Sequence, residues 1–134
     1  MHPPIAALYA ALLGLLYVRL SLLVIRHRRS SKISIGTKGD VHLERAARVH
    51  ANFSEYAPIG LLLIYFVEAA GYPAWAVHPL GLLLVVARIV HAYGLAQERE
   101  DFRYRVTGTA STFVVLIVSA GLLLFAFARG IVSG

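Results

Sequence analysis

Long apolar runs constrain this sequence more than any other feature. Three of them exceed the about 20 residues that a helix needs to cross a bilayer, and they are Pro3–Ile25, Trp75–Ala96 and Val106–Ala128. Hydrophobic residues make up 58% of the chain and charged residues only 15%. A soluble domain of this size needs more polar surface, because it hides only about two-thirds of its chain surface from water. The sequence therefore predicts an integral membrane protein.

A fourth apolar run, Ala57–Val67, is too short to cross the bilayer alone. It becomes long enough only if its helix begins near Leu43, which makes the first half of that helix polar. Such a half must face protein or water, because lipid does not solvate charged groups. We therefore expect an all-α, integral membrane four-helix bundle, one domain over residues 1–134, with spans of about 3–25, 43–70, 74–96 and 105–128.

Basic residues are concentrated in two connections between these runs. The connection after the first run contains Arg26, Arg28, Arg29, Lys32 and Lys38, and the connection after the third contains Arg99 and Arg103, with Arg105 at its edge. The positive-inside rule then places both charged loops in the cytoplasm and both termini outside. Gly71-Tyr72-Pro73 predicts a tight turn on the outer side, and the arginine run predicts an anchor for membrane lipid headgroups. The compact length favours a bacterial inner membrane.

Several charged residues fall where lipid is expected, at a cost of roughly 2.5–3.5 kcal/mol for each Arg near a span centre. On the second helix, an arc of about 80° contains Arg45, Arg48, Asn52 and Glu55. Arg19 lies in the first span, and Arg88 and His91 share a face of the third. Glu44–Arg48 and Arg88–Glu55 are possible structural pairs. As a set, however, the basic groups outnumber the acidic ones, which indicates a pocket for an anionic or zwitterionic ligand.

Other classes of site are disfavoured. The chain has no cysteine, which excludes a cysteine nucleophile and thiolate metal sites. Its six histidines form no metal-binding spacing, so we expect no metal. A net charge of +6 is explained by membrane orientation, and we expect no nucleic-acid partner. Gly108, Ser111 and Gly121 favour close packing of the fourth helix.

The second helix carries a recognisable motif. Residues 44–58 contain the pattern E-R-x-x-R-x-x-x-N-x-x-E-Y-x-P, which resembles the second-helix signature of the MAPEG family, membrane-associated proteins in eicosanoid and glutathione metabolism. The motif is closest to that of leukotriene-C-type synthases and microsomal glutathione transferases. The resemblance extends to the chain length, the four spans, an Arg in the first helix, A-R-x-x-H in the third and a basic residue leading into the fourth.

The resemblance implies a homotrimer that binds glutathione between subunits, and no metal. It assigns the glutathione carboxylates and backbone to Arg48 and Asn52, the amino group to Glu55, and a neighbouring position to Tyr56. Arg19 and His91 match further pocket positions of the family. The arginine that stabilises the thiolate is matched by Arg105, with Arg103 as the alternative.

The implied function is a glutathione-dependent transferase or peroxidase that acts on a hydrophobic electrophile dissolved in the bilayer. Transferase, peroxidase and isomerase chemistry stay open. Two positions depart from the family pattern, because Ala51 replaces an Arg found in some relatives and Leu95 replaces a Tyr. These departures favour the alternative, a non-catalytic membrane trimer that binds a small anion or lipid headgroup or acts as a scaffold.

Overall fold

Four helices form the chain in the computed structural model, which describes residues 3–97 and 101–132. They are α1 (Ile5–Ser31), α2 (Val41–Ala69), α3 (Ala74–Ala96) and α4 (Phe102–Val132). The predicted all-α four-helix bundle is confirmed. Helices α1, α3 and α4 are long and apolar enough to cross a membrane. Helix α2 has the length but is more polar, as its charged first half requires. The span boundaries and the orientation in the membrane stay predictions.

The arginine run after the first apolar stretch is helical, so the prediction of a loop from residue 26 was wrong. Helix α1 continues to Ser31 and ends at Lys32, which adopts a left-handed conformation with φ 54°. Arginine is a good helix former, and cations in the last turn interact favourably with the helix dipole. Arg28 also donates from Nη1 to the carbonyls of Ser34 (3.1 Å) and Gly36 (3.0 Å), which fixes the start of the loop.

Asp40 joins the end of α1 to the start of α2. Its carboxylate accepts a hydrogen bond from the backbone N–H of Leu43 (3.0 Å), as the N-cap of α2, and another from the hydroxyl of Ser31. The Ser31 hydroxyl, followed by the Leu43 amide, holds the pKa of Asp40 below its usual value. The short loop therefore fixes α1 and α2 side by side at this end of the bundle.

At the opposite end, Glu68 caps the N-terminus of α1. Its two carboxylate oxygens accept hydrogen bonds from the backbone N–H groups of Ile5 (2.6 Å) and Ala6 (2.8 Å). The predicted tight turn follows at once, with Gly71 at φ 86°. Tyr72 then donates from its hydroxyl to the carbonyl of Leu122 in α4 (2.8 Å). This end of α2 thus contacts both outer helices.

Helices α2 and α3 form the centre of the bundle. Helix α1 packs on both of them from one side and α4 from the other, and within the described residues α1 and α4 do not contact each other. The buried core lies along α2 and α3 and includes Phe53, Ile64, Val77 and Leu84. The outer surfaces of α1 and α4 expose large apolar side chains such as Leu15 (71%), which suits contact with lipid acyl chains.

Two glycines bring α3 and α4 unusually close together. A Cβ atom on Gly108 would lie 2.7 Å from the backbone nitrogen of His91 and 2.8 Å from the carbonyl oxygen of Ala87. A Cβ atom on Gly94 would lie 2.6 Å from the Cβ of Tyr104. Only residues without a side chain permit this approach. As a consequence, the first turn of α4 lies beside the last turns of α3.

Candidate functional site

A polar cavity of about 320 Å³ lies between α2, α3 and α4, at the end of the bundle that carries the α1–α2 and α3–α4 connections. Its volume is within the range of small-molecule sites, about 300–1,000 Å³. The residues that line it are Arg48, Ala51, Asn52, Glu55, His91, Leu95 and Arg105. A larger groove of about 420 Å³ between α1 and α2 has a mainly apolar lining without charged residues, in which Tyr17 and Ser54 are the residues with polar side chains.

Helical spacing brings the α2 and α3 side chains into this cavity. Arg48, Asn52 and Glu55 recur at intervals of four and three residues, so they project from one face of α2. His91 and Leu95 stand one turn apart on α3. Arg105 lies in the first turn of α4, where the close α3–α4 packing places it opposite α2. The structure therefore brings together five residues that the sequence predicted for the site.

Arg48 and Glu55 are exposed within one subunit, and neither has a hydrogen-bond or ion-pair partner in the part of the chain that the structure describes. The predicted Glu44–Arg48 pair is therefore not formed there. Glu55 lies 14 residues into α2, or about 21 Å along a helix that rises about 1.5 Å per residue. A charge at that depth in a membrane protein requires a ligand, water or a second protein surface.

Arg88 lies behind the cavity and does not line it. It is only 1% exposed. Its Nη2 donates to Oδ1 of Asn52 (2.5 Å), its Nη1 donates to the hydroxyl of Thr112 (3.3 Å), and its guanidinium lies 5.7 Å from the ring centre of Tyr56. The alternative pair Arg88–Glu55 is not formed, since no described carboxylate accepts a hydrogen bond from Arg88. Arg88 thus contacts Asn52, a lining residue, without lining the cavity itself.

Arg45 also lies outside the cavity, although it shares a face of α2 with Arg48. Its Nη1 donates to the carbonyls of Gln97 (2.8 Å) and Leu95 (3.3 Å), which are the last carbonyls of α3. A cation there satisfies carbonyls that the helix leaves unpaired and opposes the negative end of its dipole. In this structure Arg45 caps α3 and secures its end against α2.

The remaining predicted residues fall outside the cavity of one subunit. Tyr56 packs against Phe113, with ring centres 5.8 Å apart, and contacts Arg88. Arg19 lines a shallow groove on the exposed surface of α1, together with Leu15 and other apolar residues. Arg103 is exposed in the first turn of α4 and does not line the cavity. Of the two arginines considered for the fourth helix, the structure therefore places Arg105 at the cavity.

Thr112 is a member of the site that the sequence did not single out. It is fully buried in α4, where its hydroxyl donates to the carbonyl of Gly108 (2.8 Å) and accepts from Arg88. A signal was available, because Arg105, Gly108 and Thr112 lie on one face of the helix at intervals of three and four residues. A hydroxyl on the same face as a predicted catalytic arginine is a candidate for contact with the pocket.

The electrostatics of this region favour an anion. Three guanidinium groups, those of Arg48, Arg88 and Arg105, lie in or directly behind the cavity, whereas its described lining has one carboxylate, Glu55. Attraction and repulsion between charges are stronger where water is excluded. The site therefore suits a ligand with more negative than positive groups. Within the described residues, no group of three or more His, Asp or Glu side chains forms a potential metal site.

Comparison with known proteins identifies related chains. Residues 6–125 match the model of the MAPEG family. Inner membrane protein YecN of Escherichia coli strain K12 is 36% identical over 114 residues, which cover 85% of this chain and 86% of YecN. YecN of Escherichia coli O6:H1 strain CFT073 matches with the same identity and coverage. The name of YecN states a membrane location and no reaction. Together with its apolar helices, this similarity makes the chain an integral membrane protein.

Proposed function

The chain belongs to the MAPEG family, and from that premise we propose that it is a glutathione-dependent transferase or peroxidase of the bacterial inner membrane. Many MAPEG proteins are glutathione transferases or peroxidases. The observation that carries the proposal is the convergence of Arg48, Asn52, Glu55, His91 and Arg105 on one polar cavity. These residues come from three helices, and in a membrane protein such a group of polar side chains marks a functional site.

The charges of glutathione match those of the cavity. Glutathione carries two carboxylates and one ammonium group, and loss of the thiol proton adds a further negative charge. Arg48 and the donors of Asn52 suit the carboxylates and the peptide carbonyls, whereas Glu55 suits the ammonium group. Arg105 then compensates the remaining negative charge.

Arg105 is assigned the activation of the thiol. A nearby guanidinium lowers the pKa of a thiol, and the thiolate is the reactive nucleophile. The position of Arg105 in the first turn of α4 adds the positive end of the helix dipole to the same region. The thiol proton passes to water, and the sulfur then forms a bond to the electrophilic carbon of an apolar substrate, whose leaving group departs with the bonding electrons. In the peroxidase case the sulfur attacks a lipid hydroperoxide, and a second glutathione completes the reduction to alcohol, water and disulfide.

The proposal includes assembly as a homotrimer, the usual state of MAPEG proteins. One subunit leaves Arg48 and Glu55 exposed, so its cavity is open on the lateral side. A neighbouring subunit would close that side and exclude lipid. Arg19 on the outer face of α1 is then available to reach the cavity of a neighbour. The hydrophobic substrate enters from the bilayer between subunits.

A second candidate function is a non-catalytic membrane trimer that binds a small anion or lipid headgroup, or serves as a scaffold. Ala51 and Leu95 favour it, because both line the cavity and neither offers a polar contact. A pocket with fewer contacts to glutathione retains its anion-binding charge but orients the sulfur less well. This candidate predicts no glutathione-dependent rise in melting temperature.

The deciding experiment measures thiolate formation directly. Purified protein in detergent is mixed rapidly with glutathione, and the ultraviolet absorbance of the thiolate is followed. We expect a signal in the wild type that Arg105→Ala abolishes. Arg103→Ala is the matched control, since Arg103 lies two residues away and outside the cavity. An equal signal in the Arg105→Ala variant contradicts the assignment, and no signal in folded wild-type protein favours the non-catalytic trimer.

A further inference from the structure

The most unusual charged group in the described structure is Arg88, a cation that is 1% exposed and has no carboxylate partner there. Its Nε atom is buried without a hydrogen-bond acceptor. Burying a charge without a counter-charge is unfavourable by several kcal/mol, on the order of magnitude expected for buried ions. A leucine or methionine would fill the same space without this cost. The position therefore retains an arginine for a reason other than packing.

We propose that Arg88 is a positioning residue that fixes the amide of Asn52 so that the cavity presents two N–H donors to an anionic oxygen of its ligand. The inference rests on the proposed function and deepens it. Arg88 does not line the cavity itself, whereas Asn52 does. The arginine therefore acts on the ligand through the asparagine.

The direction of the hydrogen bonds carries this inference. A guanidinium is a donor only, so the atom of Asn52 that lies 2.5 Å from Nη2 must be the carbonyl oxygen Oδ1. The amide nitrogen Nδ2 then points away from Arg88. Asn52 lines the cavity, and its Nδ2 donates to no described residue, so we assign both N–H donors of the amide to the cavity. Without Arg88, the amide could turn by 180° and present its oxygen, which repels a carboxylate.

Thr112 holds the arginine in place. Its hydroxyl donates its one proton to the carbonyl of Gly108 (2.8 Å) and can therefore only accept from Nη1 of Arg88 (3.3 Å). The ring of Tyr56 contacts the guanidinium from another side, at 5.7 Å from the ring centre. Acceptors on α2 and α4 thus orient a side chain from α3. The donor pattern of the cavity depends on all three helices.

The selectivity of the site follows from this arrangement. Two fixed N–H donors in front of a buried positive charge favour a carboxylate or peptide carbonyl oxygen and disfavour an ammonium group. Glu55, one turn further along α2, provides the opposite preference. The two residues together set the direction in which a zwitterionic ligand binds.

Asn52→Asp is the sharpest test, because it keeps the shape of the side chain and the acceptor for Arg88 while replacing both donors by a negative oxygen. Glutathione is titrated into the detergent-solubilised full chain, with the thiolate absorbance as the signal. We expect the midpoint to rise about tenfold to hundredfold, the usual effect of losing hydrogen bonds to a charged group. The melting temperature of the ligand-free protein should not fall, since aspartate pairs with Arg88. A titration midpoint equal to that of the wild type overturns the inference.

Arg88→Met tests the positioning role itself. The midpoint should rise about tenfold, while the thiolate amplitude at saturation stays at the wild-type level, because Arg88 does not contact the sulfur. If Arg88 had only a structural role, the variant would instead contain misfolded protein. The thiolate amplitude would then be lower, and the midpoint of the glutathione titration would be unchanged. In an Asn52→Ala background, Arg88→Met should add little, because the two residues act as one unit.

Tyr9→Phe serves as the control for general destabilisation. It removes a buried hydroxyl that is hydrogen bonded to His78 (2.9 Å), far from the cavity at the other end of the bundle. The midpoint of the glutathione titration for this variant should equal that of the wild type. Additive effects of Asn52→Ala and Arg88→Met overturn the inference and leave the proposed function standing. A wild-type protein without any thiolate signal instead refutes the proposed function and the inference with it. If the Arg88→Met variant does not fold, the glutathione titration of the Asn52→Asp variant is the deciding measurement.

Discussion

Replacing Gly108 with alanine should separate α3 from α4 and disrupt the site from a distance. The new Cβ would lie 2.7 Å from the backbone nitrogen of His91 and 2.8 Å from the carbonyl oxygen of Ala87. The optimal separation of non-bonded heavy atoms is about 3.5–4.0 Å, so the helices must move apart by about 1 Å at this crossing. Backbone atoms receive the contact, and no side-chain rotation relieves it.

The energetic consequence has two parts of opposite sign. Overpacking of a buried site costs about 1–3 kcal/mol. The higher helix propensity of alanine relative to glycine offsets about 0.8–1.0 kcal/mol of this cost. We therefore expect a net loss of up to about 2 kcal/mol in the free energy of unfolding. The shift also lengthens the Arg88–Thr112 hydrogen bond, already 3.3 Å, and draws Arg105 away from the cavity. Glutathione affinity should fall together with stability.

Gly121→Ala is the matched control, because it makes the same substitution on the same helix. A Cβ there has no atom within 4 Å inside the subunit. This variant should be stabilised by up to about 1 kcal/mol and bind glutathione normally. Thermal unfolding in detergent and the thiolate titration measure both properties. Equal stability and affinity in the Gly108→Ala and Gly121→Ala variants would refute the view that close α3–α4 packing assembles the site.

Two further outcomes are expected outside the site. Glu68→Gln should lower the free energy of unfolding by about 1–2 kcal/mol, since it removes the charge and one of the two acceptors that cap α1 at Ile5 and Ala6. A variant with an unchanged melting temperature would show that this cap contributes nothing to stability. Asp40 has a lowered pKa, so its contribution to stability is present above the unfolded-state value of about 3.9 and is lost as the pH falls through the lower folded-state value. Asp40→Asn keeps an N-cap acceptor without titrating, and its melting temperature should therefore fall less steeply than that of the wild type between about pH 4 and pH 2; parallel curves would contradict this assignment.

Local properties of the sequence predicted much of the molecule. The four helices follow from apolar runs of sufficient length and from one helix with a polar first half. The face shared by Arg48, Asn52 and Glu55 follows from the 3.6-residue period, because a helix fixes the relative directions of its own side chains. The charged start of α2, which is anomalous for a membrane helix, proved to be where the cavity lies. These features depend on residues close together in the chain.

Residues that share a helix face do not all meet the same neighbours. Arg45 and Arg48 share a face of α2, yet Arg48 lines the cavity while Arg45 caps α3. Arg88 is buried outside the cavity and donates a hydrogen bond to Asn52, which lines it. Arg19 lies on the outer face of α1, away from the cavity of its own subunit, so its place in a pocket between subunits stays a prediction. Helical periodicity gives the direction of a side chain but not its neighbour, since the neighbour depends on how the helices cross.

The sequence by itself determined the class of the protein, its helices, and the polar residues that we propose as the binding site. The tertiary structure alone decided which of these residues meet. Gly94 and Gly108 let α4 approach α3 closely enough to bring Arg105 to the cavity and Thr112 to Arg88. Hydrophobic length and helical period are encoded within a few turns of chain. A site built from three helices is instead set by contacts between residues distant in the chain, such as the Arg88–Thr112 and Arg88–Asn52 hydrogen bonds, with separations of 24 and 36 positions.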